Sequence, residues 1–339
     1  MNPELGGVAS SVLCLHEELL KIGAKSEIID SPYEMQELSP PINELSVAHG
    51  LWQWPGNVTF KRNHKFGAPY LVFPHGMLDP WFKKRYPLKH LKKQIYWWLK
   101  QGKILYKARA VCFTTEEERR LARKTFFPYH CREIVTGLGT TDPPDVSQSD
   151  IETFLESHPQ LKGKKLLLFL GRFHPKKGVD LLIEQWCKKS VPSNFVLVLG
   201  GPLNPGLVFE QNLFKLAANM PSIYWTGMLK GQEKWTALKL ADALILPSHQ
   251  ENYGMVIAEA CSMGTPVLLT NKVNLWREIT DAKAGIAAQD DNEGISYLLD
   301  SWIEGLSSQM KEASSRCFTE HLHIRHAVKR LMELANEQK

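Results

Sequence analysis

The sequence predicts two α/β domains, each built on a parallel sheet with helices on both faces. Three observations predict this. The chain has 339 residues, enough for two domains of ordinary size. Short runs such as LLLFL at 166–170 and FVLVL at 195–199 contain no polar residue, as expected of strands buried on both faces. These runs alternate with stretches of helical spacing, the pattern of doubly wound sheets.

In chain order, Gly6-Gly7 precedes a helix over Val8–Lys21, where Val8, Val12, Leu15, Leu19 and Ile22 share a face. Glu27–Ile29, Leu45–Ala48, Tyr70–Phe73 and Ala110–Phe113 read as strands, and Leu88–Tyr106 and Glu116–Lys124 as helices. Thr140–Asp150 is polar, contains two prolines and has no period, which marks a linker. The second domain then reads strand Leu166–Leu170, helix Val179–Lys188, strand Phe195–Leu199 and strand Ser222–Thr226. It continues with helix Gln232–Leu240, strand Ala243–Leu246, helix Tyr253–Met263 and strand Pro266–Leu269. An amphipathic helix, Ile324–Ala335, closes the chain. The expected division is an N-terminal domain at 1–140, a linker at 141–160, a C-terminal domain at 161–310 and terminal helices at 311–339, the last able to cross back to the first domain.

Composition excludes several classes. Hydrophobic residues at 43% and charged residues at 23% describe a globular chain. No uninterrupted run of 18 apolar residues exists, so a transmembrane helix is not expected. No basic-then-apolar leader opens the sequence, which favours a cytoplasmic location. The six cysteines are scattered without CxxC spacing, so reduced thiols are expected rather than a zinc or redox site. Lys/Arg exceed Asp/Glu by 20 to 16 in residues 1–150 and by 21 to 20 in the remainder. The excess lies in Lys83–Arg109, with ten Lys/Arg and no Asp/Glu. Such a block suits an anionic partner or bulk water.

Four places carry candidate chemistry. Gly171-Arg172-Phe173-His174-Pro175-Lys176-Lys177-Gly178 follows the LLLFL strand and is neither a P-loop nor GxGxxG. Arg172 and Lys177 at a helix start suit a diphosphate; a solvated basic turn is the alternative. Glu251 and Glu259 flank Asn252-Tyr253-Gly254. With a mostly helical segment between them they would stand about 12 Å apart. That is too far for a glycosidase pair, roughly 5–9.5 Å. It suits the distance from a sugar across a diphosphate to a ribose, while two ordinary exposed glutamates are the alternative. Gly6-Gly7 permits close approach of an anion to a helix start, or is a plain turn. His75, after strand Tyr70–Phe73, can exchange a hydrogen bond with a sugar or reacting hydroxyl, or be a structural histidine. His49-Gly50 invites the same comparison.

Together these segments resemble the retaining GT-B-fold glycosyltransferases of family four. The densest match is Ser248–Ile279 (SHQENYGMVIAEACSMGTPVLLTNKVNLWREI). His49–Trp52, Pro74–Trp81 and Phe113–Arg120 are similar to members that build bacterial polysaccharides. The resemblance implies that Arg172 and Lys177 hold the donor diphosphate and Glu259 the ribose. It assigns Glu251 to the donor sugar, with the Asn252, Tyr253 and Gly254 backbone near sugar and phosphate. Gly7 would lie against the diphosphate and His75 near the reacting carbon or acceptor. The implied partners are a UDP- or GDP-sugar donor and a glycan or lipid-linked acceptor. There is no DxD motif, so no metal or other cofactor is expected; the two cations would take that part. A non-catalytic nucleotide-sugar-binding protein and a nucleotide-sugar epimerase are the rival readings.

One departure stands out. Met1–Leu5 is too short for the buried strand and turn expected before the glycine pair. The first sheet is therefore expected to lack its first strand, either because the start lies upstream or because the domain is reduced. The basic segment suggests docking of the first domain on an anionic membrane. Leu88, Leu91, Ile95, Trp98, Leu99, Leu105 and Tyr106 form one face, while Trp97 falls among the lysines. Basic residues around an exposed Trp97 suit an anionic membrane surface; a core-packed helix with a solvated basic face is the alternative. No nucleic-acid motif accompanies the block.

Overall fold

A computed structural model describes residues 7–33 and 44–337. The chain divides into two compact units: residues 1–141 with 322–339, and residues 142–321. Each is α/β with a parallel sheet, as the periodicities predict.

The sheet of unit 1 contains β1 (Ser46–His49), β2 (Tyr70–Phe73), β3 (Ala110–Phe113) and β4 (Glu133–Val135), in the order β1-β2-β3-β4. All three pairings are parallel. β2 and β3 are buried along their whole length, which is why they read as unbroken apolar runs. Helix Trp54–Phe66 returns the chain from β1 to β2, with Pro55 in its first turn and Gly67, at φ +71°, ending it. Helix Glu116–Ala122 follows β3, capped by the Thr115 side chain. Helices Gly7–Lys21 and Arg325–Asn336 also belong to this unit.

Three expectations change here. Glu27–Ile29 is not a strand; an extended trace becomes one only through a hydrogen-bonded neighbour, and it has none among the described residues. The strand expected to be missing before Gly6 falls on residues 1–6, outside the described residues. The long helix at 88–106 is broken into Pro87–Tyr96, a π-turn at Trp97–Gln101, and Gly102–Lys107. Its faces are also inverted. Trp97, Gln101, Ile104, Leu105 and Ala108 turn into the core, while Leu88, Leu91, Ile95, Trp98, Leu99 and Tyr106 are exposed. Helical spacing reveals a face but not what lies against it, and the π-turn inserts a residue that shifts the phase.

Unit 2 contains β5 (Lys165–Leu170), β6 (Phe195–Gly200), β7 (Ile223–Gly227), β8 (Ala243–Leu246), β9 (Val267–Thr270) and β10 (Gly285–Ala288). The order is β10-β9-β8-β5-β6-β7, all parallel. The chain runs outward from β5 through β6 to β7, then returns to lay β8 on the other side of β5. The point of reversal therefore lies between β5 and β8, where the crevice beyond the strand ends opens in such sheets. The core joins Leu167, Phe169, Leu197, Leu199 and Ile245 to Val179, Ile183 and Trp186 of helix Val179–Cys187. The stretch expected as a linker contains helix Gln148–Ser157, with a reciprocal capping box between Ser147 and Asp150. It belongs to unit 2, and so does helix Gln309–Cys317.

Candidate active-site residues in the two units

In unit 2 the predicted residues gather at the reversal point. The 171–178 turn leaves β5 and the 247–254 segment leaves β8. The two segments touch closely: a Cβ on Gly178 would stand 2.1 Å from the Pro247 carbonyl oxygen, and Gly178 itself has φ +64°. Only glycine satisfies both demands. The His249 N–H donates to the Lys176 carbonyl at 2.8 Å, tying the turns together. The His174 side chain accepts from the Lys176 N–H at 3.1 Å and caps the short turn Pro175–Lys177.

This frame brings the Lys177 ammonium onto the Glu251 carboxylate. Both side chains are largely buried, at 14% and 16% exposure. Burial opposes the charge on Glu251, but Lys177, Lys176 and Arg172 outweigh it and hold the carboxyl below its usual range. The Glu251 backbone is fixed as well, its N–H donating to Lys272 and its carbonyl accepting from Asn274. Arg172 is exposed on the same turn. It also helps depress His174, behind burial and Lys176.

Asn252 accepts from the Asn274 side-chain amide at 3.1 Å. Gly254, at φ +71°, is the N-cap of helix Met255–Ser262. Tyr253 differs from expectation in one respect: its side chain is 5% exposed and belongs to the core, where burial pushes the phenol far up. Only its backbone can face a ligand. The path from Glu251 to Glu259 is helical only from Met255, so the separation reckoned from a mostly helical segment does not apply. Glu259 pairs with Lys234 of helix Gly231–Leu240 at 2.9 Å.

In unit 1, His49 ends β1 and His75 follows β2. His75 has φ +50°, and Gly76 beside it φ +75°. The His49 Nδ1 and His75 Nε2 atoms stand 2.9 Å apart in a hydrogen bond. Both rings stack with Phe73, at centroid distances of 5.1 and 5.7 Å. Burial lowers His49 to about 4 and, together with the neighbouring His49, lowers His75 well below its ordinary value. Both imidazoles are therefore neutral near pH 7.

Glu118 was not anticipated. It is 3% exposed. One carboxylate oxygen accepts from the Gly76 N–H at 2.6 Å. The other accepts from the Thr114 N–H and hydroxyl at 2.8 and 2.6 Å. It thereby fastens the turn that carries His75 to the end of β3. The T-x-x-E spacing of Thr115 and Glu118 is a capping signal that could have drawn attention to it. Lys234 has no comparable signal. Gly7 is the first residue of its helix and exposed, while Gly6 lies outside the described residues. Among the described residues, no group of three His, Cys, Asp or Glu side chains could hold a metal ion.

Comparison with known proteins gives this geometry a context. Residues 150–316, all within unit 2, match the family model of glycosyl transferases group 1. A D-inositol 3-phosphate glycosyltransferase of Streptomyces avermitilis is 32% identical over 168 residues, covering 44% of this chain and 36% of the relative. The chain thus spans about a third of the length of the curated relatives it matches. Among solved structures, HepE of Anabaena in complex with UDP-glucose is similar at a TM-score of 0.69 and 14% identity, covering 85% of this chain and 78% of that one. WaaG, a glycosyltransferase involved in lipopolysaccharide biosynthesis, is similar at a TM-score of 0.66 and 15% identity, covering 98% and 97%. These likenesses establish the fold as GT-B.

Proposed function

We propose that the protein is a retaining glycosyltransferase that moves a hexosyl group from a UDP- or GDP-sugar to a glycan or lipid-linked acceptor without a divalent metal. One observation carries the reading: the turn after β5 and the turn after β8 meet at the reversal point of the sheet and bring Lys177, with Arg172 on the same turn, to Glu251. A nucleotide sugar needs positive charge at the diphosphate and hydrogen-bond acceptors at its sugar hydroxyls. This arrangement offers both.

In this reading Arg172 and Lys177 hold the diphosphate and stabilise the charge that grows on the leaving nucleotide. Such preorganised groups lower the barrier without reorganising during the reaction. They supply the positive charge for which other sites recruit a metal. Glu251, ionised by its cationic neighbours, accepts from the hydroxyls of the donor sugar, and Glu259 accepts from the ribose. The Asn252–Gly254 backbone lies beside sugar and phosphate, and Gly7 serves the diphosphate. The acceptor attacks from the face the nucleotide leaves, so configuration is kept and the phosphate oxygen takes the acceptor proton. His75, neutral at working pH, serves the acceptor side through a hydrogen bond. The UDP-glucose bound by the Anabaena relative supports a UDP-sugar as the first donor to test. The reading places the protein in the cytoplasm, against the inner face of the membrane where lipid-linked acceptors stand.

The test is a panel of UDP- and GDP-sugars read by thermal shift and by donor hydrolysis, with and without EDTA. A binding donor raises the melting temperature by mass action. Hydrolysis or transfer that survives EDTA is expected. A donor that binds but is never turned over, with any acceptor including inositol phosphates, leaves a binding protein and refutes the enzyme. Activity that EDTA abolishes refutes the metal-free form.

A further inference from the structure

The inverted helix of unit 1 leaves an apolar surface with no partner. Leu88, Leu91, Ile95, Trp98, Leu99 and Tyr106 are 48–79% exposed, although the helix they stand on is anchored by Trp97, Ile104 and Leu105 at 1–2%. Up to Trp98 they recur at three or four residues, the spacing of one helical stripe. Phe127, 78% exposed, joins them: its carbonyl accepts from the Trp98 indole at 2.6 Å and from the Gln94 amide at 2.7 Å. The loop that carries it is thus held beside the stripe.

The surroundings of the stripe are predominantly cationic. Residues 83–109 contain ten Lys/Arg and no Asp/Glu. Lys89, Lys100 and Lys107 lie over the rings of Tyr86, Tyr96 and Tyr106 at 5.1–5.9 Å, alongside the apolar residues. An open concavity of about 940 Å³ beside the helix is lined in part by Lys83, Arg123, Lys124 and Arg132, with Glu133 as its one acid. No described helix is long and apolar enough to cross a membrane.

We propose that this face is a membrane-docking surface: Leu88, Leu91, Ile95, Trp98, Leu99 and Phe127 enter the headgroup–acyl boundary of an anionic bilayer, and the flanking lysines bind its phosphates. The proposal rests on the membrane location in the preceding section and names the surface that secures it. Charge complementarity selects the occupant. A second copy of this face would bring its flanking lysines, Lys89, Lys100 and Lys107 among them, against the same lysines, which opposes dimerisation. A bilayer supplies apolar depth under the stripe and a dense plane of negative charge around it. Shallow apolar insertion combined with basic attraction is how interfacial helices bind. Trp98 and Tyr106 suit the headgroup level, with ring bodies apolar and tips polar.

The test is co-sedimentation of the full chain with phosphatidylcholine vesicles that contain or lack phosphatidylglycerol. Binding is expected only to the anionic vesicles and should fall as salt rises. Lys89→Gln and Lys103→Gln should each weaken it about fivefold. Leu91→Gln with Ile95→Gln should weaken it at least tenfold. These side chains are exposed, so the melting temperature of each variant is expected to stay at the wild-type value and serves as the folding control. No binding to anionic vesicles overturns the proposal. Equal binding by the Leu91→Gln, Ile95→Gln variant overturns it too, as does a dimer that this variant dissociates in the absence of lipid. Donor binding is measured on the same samples by thermal shift with the panel of UDP- and GDP-sugars. Vesicle binding without donor binding would keep the docking surface and refute the enzymatic reading; the reverse result would do the opposite.

Discussion

In unit 2 the buried cation of the 171–178 turn meets an acid: Lys177 sits on Glu251, and farther along the same helix–turn system Lys234 sits on Glu259. In unit 1 the stretch 87–107 carries its lysines along an exposed apolar stripe, with no acid anywhere in the segment. The first arrangement orders charges in a partly buried crevice, where direction matters and water is scarce. The second spreads charge over a surface, where only the sum matters. The difference matches the two proposals: a small, doubly charged donor for the first arrangement and an extended anionic plane for the second.

The largest effect expected tests which face of the 87–107 stretch is inward. Trp97 is 2% exposed, stacks on Phe126 at 4.9 Å and donates to the Pro128 carbonyl at 2.7 Å. Trp97→Ala should cost about 3–5 kcal/mol. Trp98→Ala, at 54% exposure, should cost about 1 kcal/mol, chiefly its hydrogen bond to Phe127. Denaturant unfolding of both variants decides the matter. Equal losses would mean that the stripe is packed in solution and would remove the contrast.

Next in size is the chemistry of unit 2. Arg172→Ala should lower kcat roughly 10²–10³-fold, as for other preorganised electrostatic groups. Arg172 is exposed, so stability should hardly move. Lys177→Ala is less clean, because it also strips a largely buried carboxylate of its ammonium. Steady-state kinetics beside a melt separates the two. An Arg172→Ala enzyme with wild-type turnover would remove the residue from the donor site.

How much of this was legible beforehand depended on how local the signal is. The apolar runs of β5, β6 and β8 announce themselves because both faces of each strand are buried. Arg172, Lys177 and Glu251 were found because they sit in short turns directly after such strands, and the sheet order then brings those turns together. Glu118 went unnoticed because its partners, Gly76 and Thr114, are set by tertiary packing, and one is 42 residues away. The 87–107 stretch is ambiguous in sequence because two apolar faces share one helix. Sequence spacing cannot say which of them the core will take. The helix at 148–157 reads as linker because the prolines before it dominate the local pattern.

A third prediction sharpens the contrast through carboxylates. Glu118→Gln puts an amide where three donors converge, leaving at least one of them without an acceptor. It should destabilise unit 1 by about 1–3 kcal/mol. UDP-sugar binding, read by thermal shift at saturating ligand, should persist. Glu259→Gln should do the reverse: a small loss of stability, since its pair with Lys234 is partly exposed, and a weakened donor affinity. If Glu259→Gln proved the more destabilising and left affinity intact, the acid would be structural and not a ligand contact.

The smallest effect expected is the pH dependence that the His49–His75 pair gives unit 1. His49 and His75 are held neutral, their folded values lying below the ordinary 6.5, with His49 near 4. Between those values the unfolded chain binds protons that the folded unit refuses, so stability rises with pH. Their contribution is fully present above about pH 6.5 and is lost as pH falls toward about 4. By about pH 5.5 the loss should approach 1.4 kcal/mol for His49, and His75 adds to it in the same direction. His75→Asn is the variant to compare, since asparagine tolerates the positive φ of that position. It removes one titrating ring and relieves His49 of its neighbour. Urea unfolding at a series of pH values should therefore show a shallower acid slope for His75→Asn than for wild type, while the slope of unit 2 stays the same. Unchanged slopes would mean that the pair titrates as exposed imidazoles do, and the neutral His75 on which the acceptor side depends would be lost.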